Sequence, residues 1–171
     1  RGTMHGVDLT VQAREIVGIA GVAGNGQGAL AALLSGLASP AAGRVTLFGG
    51  PFRPDAVTLI DAGVGRIPED RHRDGVVGDM ALWENAVLED YRRHPFRRAG
   101  FLDRAAARAQ TTRLMAEHDV RGGSLGTPAR LLSGGNMQKL ILGRVLDRGP
   151  GLILAHQPTR GLDIGAATAV Q

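Results

Sequence analysis

Leu132-Ser133-Gly134-Gly135-Asn136-Met137-Gln138-Lys139 places a hydroxyl, two adjacent glycines and the start of an apolar stripe within eight residues. Met137, Leu140, Ile141 and Val145 fall on one helical face, so a helix opens directly after the glycines. Paired glycines let backbone N–H groups approach a ligand closely, and Ser133 adds a hydroxyl. The helix they open turns the positive end of its dipole toward whatever lies in front. These parts suit a phosphate. A Ser-capped helix without a ligand accounts for Ser133 but not for the octet as a whole.

Working outward, Gly151-Leu152-Ile153-Leu154-Ala155 reads as a buried strand, followed by His156-Gln157-Pro158-Thr159-Arg160-Gly161-Leu162-Asp163. Upstream, Gly122-Gly123 and Thr127-Pro128 break the chain. Residues from about 80 to 131 are helical in character and include an Ala/Arg-rich helix with Asp103 as its N-cap. Trp83, Glu84 and Asn85 in that region fit apolar packing and helix capping better than partner contact. Residues 62–67 read as another strand, ending at Pro68-Glu69-Asp70-Arg71, and Pro40 to Gly50 as a turn followed by an exposed strand at 44–48. Val7 to Gln12 alternate apolar and polar, as a half-exposed strand does.

Glu15-Ile16-Val17-Gly18-Ile19-Ala20, a further buried-strand candidate, runs into Gly21-Val22-Ala23-Gly24-Asn25-Gly26-Gln27-Gly28. After it, Leu30, Leu33, Leu34 and Leu37 share a helical face. Glycines 21, 24 and 26 would let N–H groups converge on a phosphate in front of that helix. The pattern G-x-x-x-x-G-K-[ST] is met at Gly21 and Gly26, but Gln27 takes the lysine position and Gly28 the hydroxyl position. Taken alone, the segment also fits a tight turn without a ligand, or the first turn of a dinucleotide-binding fold. The latter wants an acid about 20 residues further on, at the end of the next strand. Here that strand ends Phe48-Gly49-Gly50, and the next acid is Asp55.

With 171 residues, 43% hydrophobic and 21% charged, the composition is that of one globular domain. No run approaches the ~20 apolar residues of a membrane helix. The absence of cysteine excludes disulfides and thiolate chemistry and fits a reducing cytoplasm. The net charge of +4 comes almost wholly from arginine, since Lys139 is the single lysine. The arginines are scattered with few aromatics among them, so direct nucleic-acid contact is not expected.

The octet at 132–139 resembles the signature motif of ABC ATPases, in the form found in sugar and nucleoside importers that carry two ATPase domains on one chain. The spacing is similar throughout. The strand at 152–154 and Gln157-Pro158-Thr159-Arg160-Gly161-Leu162-Asp163 resemble the family's second nucleotide motif and its D-loop (Leu162, Asp163). Ile67-Pro68-Glu69-Asp70-Arg71 resembles the Q-loop region. The resemblance implies an α/β fold, a P-loop NTPase core of ABC type. Residues 1–171 would form a single nucleotide-binding domain, truncated at both ends, with a helical subdomain over about 80–131 and a small antiparallel β subdomain. A nucleotide-stacking aromatic upstream and a switch histidine downstream are missing from the pattern.

The departures fall on one function. Gln27 replaces lysine, Gly28 a magnesium-binding hydroxyl, Glu69 glutamine, His156 aspartate and Gln157 the catalytic glutamate. The resemblance therefore implies a half with no intact catalytic residue and no metal of its own. Gly21, Gly24, Asn25, Gly26, Gln27 and Gly28 would hold ATP weakly. Leu132, Ser133, Gly134, Gly135, Asn136 and Gln138 would act on ATP, with its Mg²⁺, held by a partner. That partner is the N-terminal ATPase domain of the same full-length chain, or a second copy. Transmembrane permease subunits and, indirectly, a substrate-binding protein are the other implied partners, at the cytoplasmic face of the membrane. The glycine segment and Pro68–His72 lean toward nucleoside rather than ribose import. A non-transport ABC protein acting on ribosomes or nucleic acid is the alternative within the family.

Overall fold

The structure is a computed structural model that describes residues 5–22, 24–162 and 164–168. The chain folds as two compact units, divided between Ala62 and Gly63.

In the first unit, helix α1 (Gln27–Leu34) follows Gly26 directly. It stops before Leu37, which is exposed, so the helix expected to carry Leu37 is shorter than its apolar pattern. The stop is a hydrogen-bonded Schellman turn, with Leu37 N–H donating to Ala32 O (2.9 Å) and Gly36 N–H to Leu33 O (3.0 Å). Gly36 sits at φ +72°, and a Cβ there would lie 2.9 Å from Leu59 Cδ1, so glycine is required twice over. Strand β1 (Thr46–Leu47) pairs antiparallel with β2 (Gly50–Pro51) across Phe48-Gly49, both at positive φ. Helix α2 (Ala56–Asp61) is capped by Asp55, whose Oδ2 accepts from Thr58 N–H at 2.7 Å. The acid that a dinucleotide fold would have used for ribose is thus the cap of a helix.

Two further expectations fail in this unit. Neither 7–12 nor 15–20 forms a strand, and both segments are exposed, Ile16 almost completely. A strand is stabilised by a ladder partner and a covered face, and these segments pair with no other described strand. Apolar composition alone supplies neither.

The second unit is built on two parallel strands, β3 (Val64–Ile67) and β6 (Leu152–Ala155), in register from Val64↔Leu152 to Ile67↔Ala155. β6, expected to be buried, alternates between half-buried and exposed, because among the described residues it has a neighbour only on the β3 side. Between the two strands run α3 (Leu82–Ala86), a hairpin of β4 (Arg97–Arg98) and β5 (Phe101–Leu102), α4 (Arg104–Glu117) and α5 (Gly134–Leu146). A short α6 (Ile164–Thr168) ends the described chain. Among the described residues no helix is long and apolar enough to cross a membrane.

Asp103 caps α4 as expected, accepting from Ala106 N–H at 3.0 Å. Met137, Leu140, Ile141 and Val145 of α5 are all buried, and the first three form, with Leu82, Leu114 and Leu132, the body of the core. Each such side chain contributes about 1.5–3 kcal/mol of transfer free energy. Trp83 packs with Val87, Phe96 and Ala107 in a second cluster. Buried Asn85 accepts from Val77 N–H (2.8 Å) and donates to Val77 O (3.1 Å), while Glu84 accepts from Ala81 N–H (2.8 Å). These residues therefore hold α3 in place, as their types suggest.

Candidate functional site

The 132–139 octet has an anchored end and a presented end. Leu132, Met137 and Gln138 are buried, whereas Ser133 is exposed and Gly134, Gly135 and Asn136 are half-exposed. Gln138 therefore faces the interior of its own unit. Ser133 is the N-cap of α5, and its Oγ accepts from Asn136 N–H (3.4 Å) and Asn136 Nδ2–H (2.9 Å). A hydroxyl has two acceptor lone pairs and one proton. With both lone pairs engaged, Ser133 is left as a donor, beside the unpaired N–H groups of the helix's first turn. Asn136 also accepts from Arg121 N–H at 2.7 Å, and Lys139 donates to Asp119 Oδ2 at 2.8 Å. The Lys139 and Arg121 bonds hold the Asp119 carboxyl below the usual carboxylate range.

A second cluster lies at the carboxyl ends of β3 and β6, the side of parallel strands where ligands bind in open α/β sheets. The register sets it: Ile67 faces Ala155, and His156 N–H donates to Ile67 O at 2.9 Å. Glu69 and His156 then meet, with Nε2 and Oε2 3.5 Å apart, and Arg160 Nη1 forms an ion pair with Glu69 Oε1. Gln157 is exposed at φ +46°, a conformation few non-glycine residues adopt. Leu162 is half-buried and donates to Thr159 O; Asp163 lies outside the described residues.

Arg71 joins this cluster to the octet. Its Nη1 donates to Arg160 O (2.8 Å) and its Nη2 to Gly161 O (3.0 Å). A Cβ on Gly134 would come within 3.3 Å of the same guanidinium, and one on Gly161 within 3.1 Å. The planar fork fits a pair of adjacent carbonyls. Sequence reasoning gave Arg71 no role, because backbone carbonyls as acceptors leave no trace in residue types.

The glycine segment belongs to the first unit. Gly24 and Gly26 both stand at φ +93°, and Gly26 is the N-cap of α1 without a side-chain cap bond. The first N–H groups of the helix are thus left open to an anion. Gln27 folds its amide back over Gly21, where a Cβ would lie 2.8 Å from Nε2. Gly28 has open space and no hydroxyl to fill it. Gly21 and Asn25 are exposed, and Ala23 lies outside the described residues.

The family described as ABC transporter matches residues 4–160. A guanosine import ATP-binding protein of Bacillus subtilis is 44% identical over 167 residues, covering 96% of this chain and 32% of that protein. A glucose import ATP-binding protein of Haloferax volcanii is also 44% identical, over 98% of this chain and 31% of its own length. The chain thus spans about a third of the curated relatives it matches. A bacterial ABC transporter cassette, solved as a dimer, superposes with a TM-score of 0.75 over 95% of this chain and 68% of its own, at 22% identity. The architecture is therefore the ABC cassette form of the P-loop NTPase fold.

Proposed function

The chain belongs to the ABC transporter family, and from that membership we propose that it is the part of an import ATPase that completes a partner's ATP site. The observation that carries this reading is Ser133, held by Asn136 so that its one proton is free to donate, at the head of a helix rooted in the core. Gly134 and Gly135 carry no side chain to hold a phosphate off the helix's first N–H groups, and the Arg71 guanidinium lies beside Gly134. The anion approached is the γ-phosphate of ATP on the facing domain, either the N-terminal ATPase domain of the full-length chain or a second copy. By the family pattern Leu162 and Asp163 hold the D-loop positions of the chain.

The chain's own ATP site is degenerate on this reading. Gln27 offers a neutral amide where a cation would meet the β- and γ-phosphates, forgoing a charge-assisted bond of about 1.5–3 kcal/mol. The residues that stand at the family pattern's magnesium positions do not fit that ion. Gly28 has no oxygen, His156 offers imidazole to a hard cation, and the Glu69 carboxylate is engaged by Arg160 and His156. Gln157 cannot take a proton from water, which forgoes a further ~10²–10⁴ in rate. Backbone N–H groups from Gly21 to Gly28 retain a weak hold on ATP.

Hydrolysis at the partner's site would then drive a membrane permease, contacted through the 80–131 insertion and the segment after Glu69. The whole protein would sit at the cytoplasmic face, taking cargo indirectly from a substrate-binding protein. Guanosine and glucose import in equally similar relatives support a sugar or nucleoside cargo. Phosphate release by this chain alone is expected to be barely above background. Magnesium-dependent turnover of ~1 s⁻¹ or more, in the ordinary enzyme range, would overturn the degenerate-site reading.

A further inference from the structure

Between Tyr91 and Arg104 the chain carries five arginines and one acid, and that acid, Asp103, is spent as the cap of α4. The β4–β5 hairpin stands in the middle of the segment. Its root is fixed: Phe96 is buried against Trp83, Asp103 N–H donates to Phe96 O (2.7 Å), and Arg97 N–H donates to Arg93 O (2.9 Å). Its tip is a two-residue turn, Ala99-Gly100, with both residues at positive φ. Pairing sets Arg98 opposite Phe101 and Arg97 opposite Leu102.

The tip is the reverse of what a free surface hairpin should carry. Phe101 is 80% exposed, and Leu102 and Tyr91 are also exposed. Arg97 and Arg98 are exposed beside them, with no carboxylate partner among the described residues. Tyr91, Arg92, Arg97, Gly100, Phe101 and Leu102 line an open cavity of about 310 Å³. Cationic forks beside an apolar tip suit a ligand that is anionic at one level and hydrocarbon just beneath. An anionic phospholipid at a bilayer surface has that order: phosphate for the guanidinium groups, acyl boundary for the aromatic.

We propose that the β4–β5 hairpin docks on anionic phospholipid, with Phe101 and Leu102 entering the interface and Arg97 and Arg98 meeting the headgroup phosphates. An acidic protein segment would satisfy the arginines, but it gives Phe101 no reason to be held out at a rooted tip. Lipid docking goes beyond the importer reading and does not depend on a competent ATP partner.

The experiment is flotation of the purified protein with vesicles of phosphatidylcholine alone, or of an equimolar mixture with phosphatidylglycerol. Binding is expected to the mixed vesicles and to weaken with added salt. Arg97→Gln with Arg98→Gln should lower partitioning about 30-fold, at roughly fivefold per cation. Phe101→Ser should lower it about tenfold. All three residues are exposed, and unchanged thermal unfolding will show that the variants fold. A Phe101→Trp variant gives the second readout: its added emission should shift to the blue on mixed vesicles only. Equal binding to both vesicle types, no effect of the double substitution, or no blue shift would each overturn the proposal. So would binding to an acidic peptide from a permease in the absence of any binding to mixed vesicles.

Discussion

Replacing Ser133 separates the cap that its hydroxyl provides from the phosphate contact proposed for it. As N-cap of α5 it satisfies helix-end N–H groups, and losing a Ser cap costs about 1 kcal/mol. A domain stable by about 5–15 kcal/mol tolerates that, and the visible effect is a fall of several degrees in melting temperature. In the role proposed for it, as a donor to a partner's γ-phosphate, the same hydroxyl would act where negative charge builds during transfer. Removing one such donor typically lowers turnover by about 10²–10³. The two effects differ enough to be told apart. Ser133→Gly sharpens the separation, because glycine is an acceptable N-cap, within a few tenths of a kcal/mol, yet has no hydroxyl. Asn136 loses an acceptor but is half-exposed, so water replaces it.

Ser133→Gly in the assembled transporter should therefore keep the parent melting temperature to within a degree or so and lose about two orders of magnitude in steady-state phosphate release. Measurement at saturating ATP keeps weakened binding from being mistaken for lost chemistry. Gln27→Ala and His156→Ala, made in the same complex, should leave turnover near the parent value, since neither supplies the cation, metal ligand or base that its position would require. If Gln27→Ala proves as damaging as Ser133→Gly, the first unit's glycine segment is catalytic and the division of labour argued above is wrong.

Arg144 is buried, donates to Asn85 O (3.1 Å) and Gly75 O (3.0 Å), and lies 3.3 Å from Glu89, while burial pulls its pKa down from the usual arginine value. Arg144→Met should lower stability in denaturant by about 3–5 kcal/mol, against about 0–1 for Arg130→Met, which breaks an exposed pair with Asp79; equal losses would refute the burial argument. The pH dependence of Asp119 follows from its depressed pKa. A carboxyl of that kind contributes stability above its unfolded value of 3.8, and the contribution disappears as pH falls through the lower folded value. Asp119→Asn should thus flatten the acid limb of the stability curve below pH 3.8, and superimposable limbs for the two proteins would dispose of the idea.

What the sequence made legible was local. The stripe Met137, Leu140, Ile141 and Val145 fixes the face of α5, and Asp103 starts α4, because apolar periodicity and caps act within a turn or two of helix. No strand forms at 15–20 because a strand is a property of a pair: apolar content says nothing about whether a neighbour is present. Leu37 falls outside α1 for a nearer reason, a glycine turn that ends the helix before the stripe is complete. The meeting of Glu69 with His156 depends on a parallel register between residues far apart in the chain, and no short-range signal encodes that.

Stability and chemistry draw on different residues in this chain, which is why one can change without the other. The octet is rooted by Leu132, Met137 and Gln138, all buried, so its geometry is tied to the core. Gln27, Gly28, Glu69, His156 and Gln157 are half-exposed or exposed, at a helix start or beyond strand ends, and none belongs to either apolar cluster. Substitution there changes what a ligand meets and leaves the packing alone. The Glu69 carboxylate pairs with Arg160, and His156 Nε2 lies 3.5 Å from its other oxygen. Arg160 is held in turn through its carbonyl by Arg71, whose guanidinium also lies against Gly134. The Glu69–Arg160 ion pair and the Arg71 fork thus brace the loop beside α5. On the proposed reading, a site that gave up metal chemistry keeps its charge balanced and goes on positioning the one motif its partner needs.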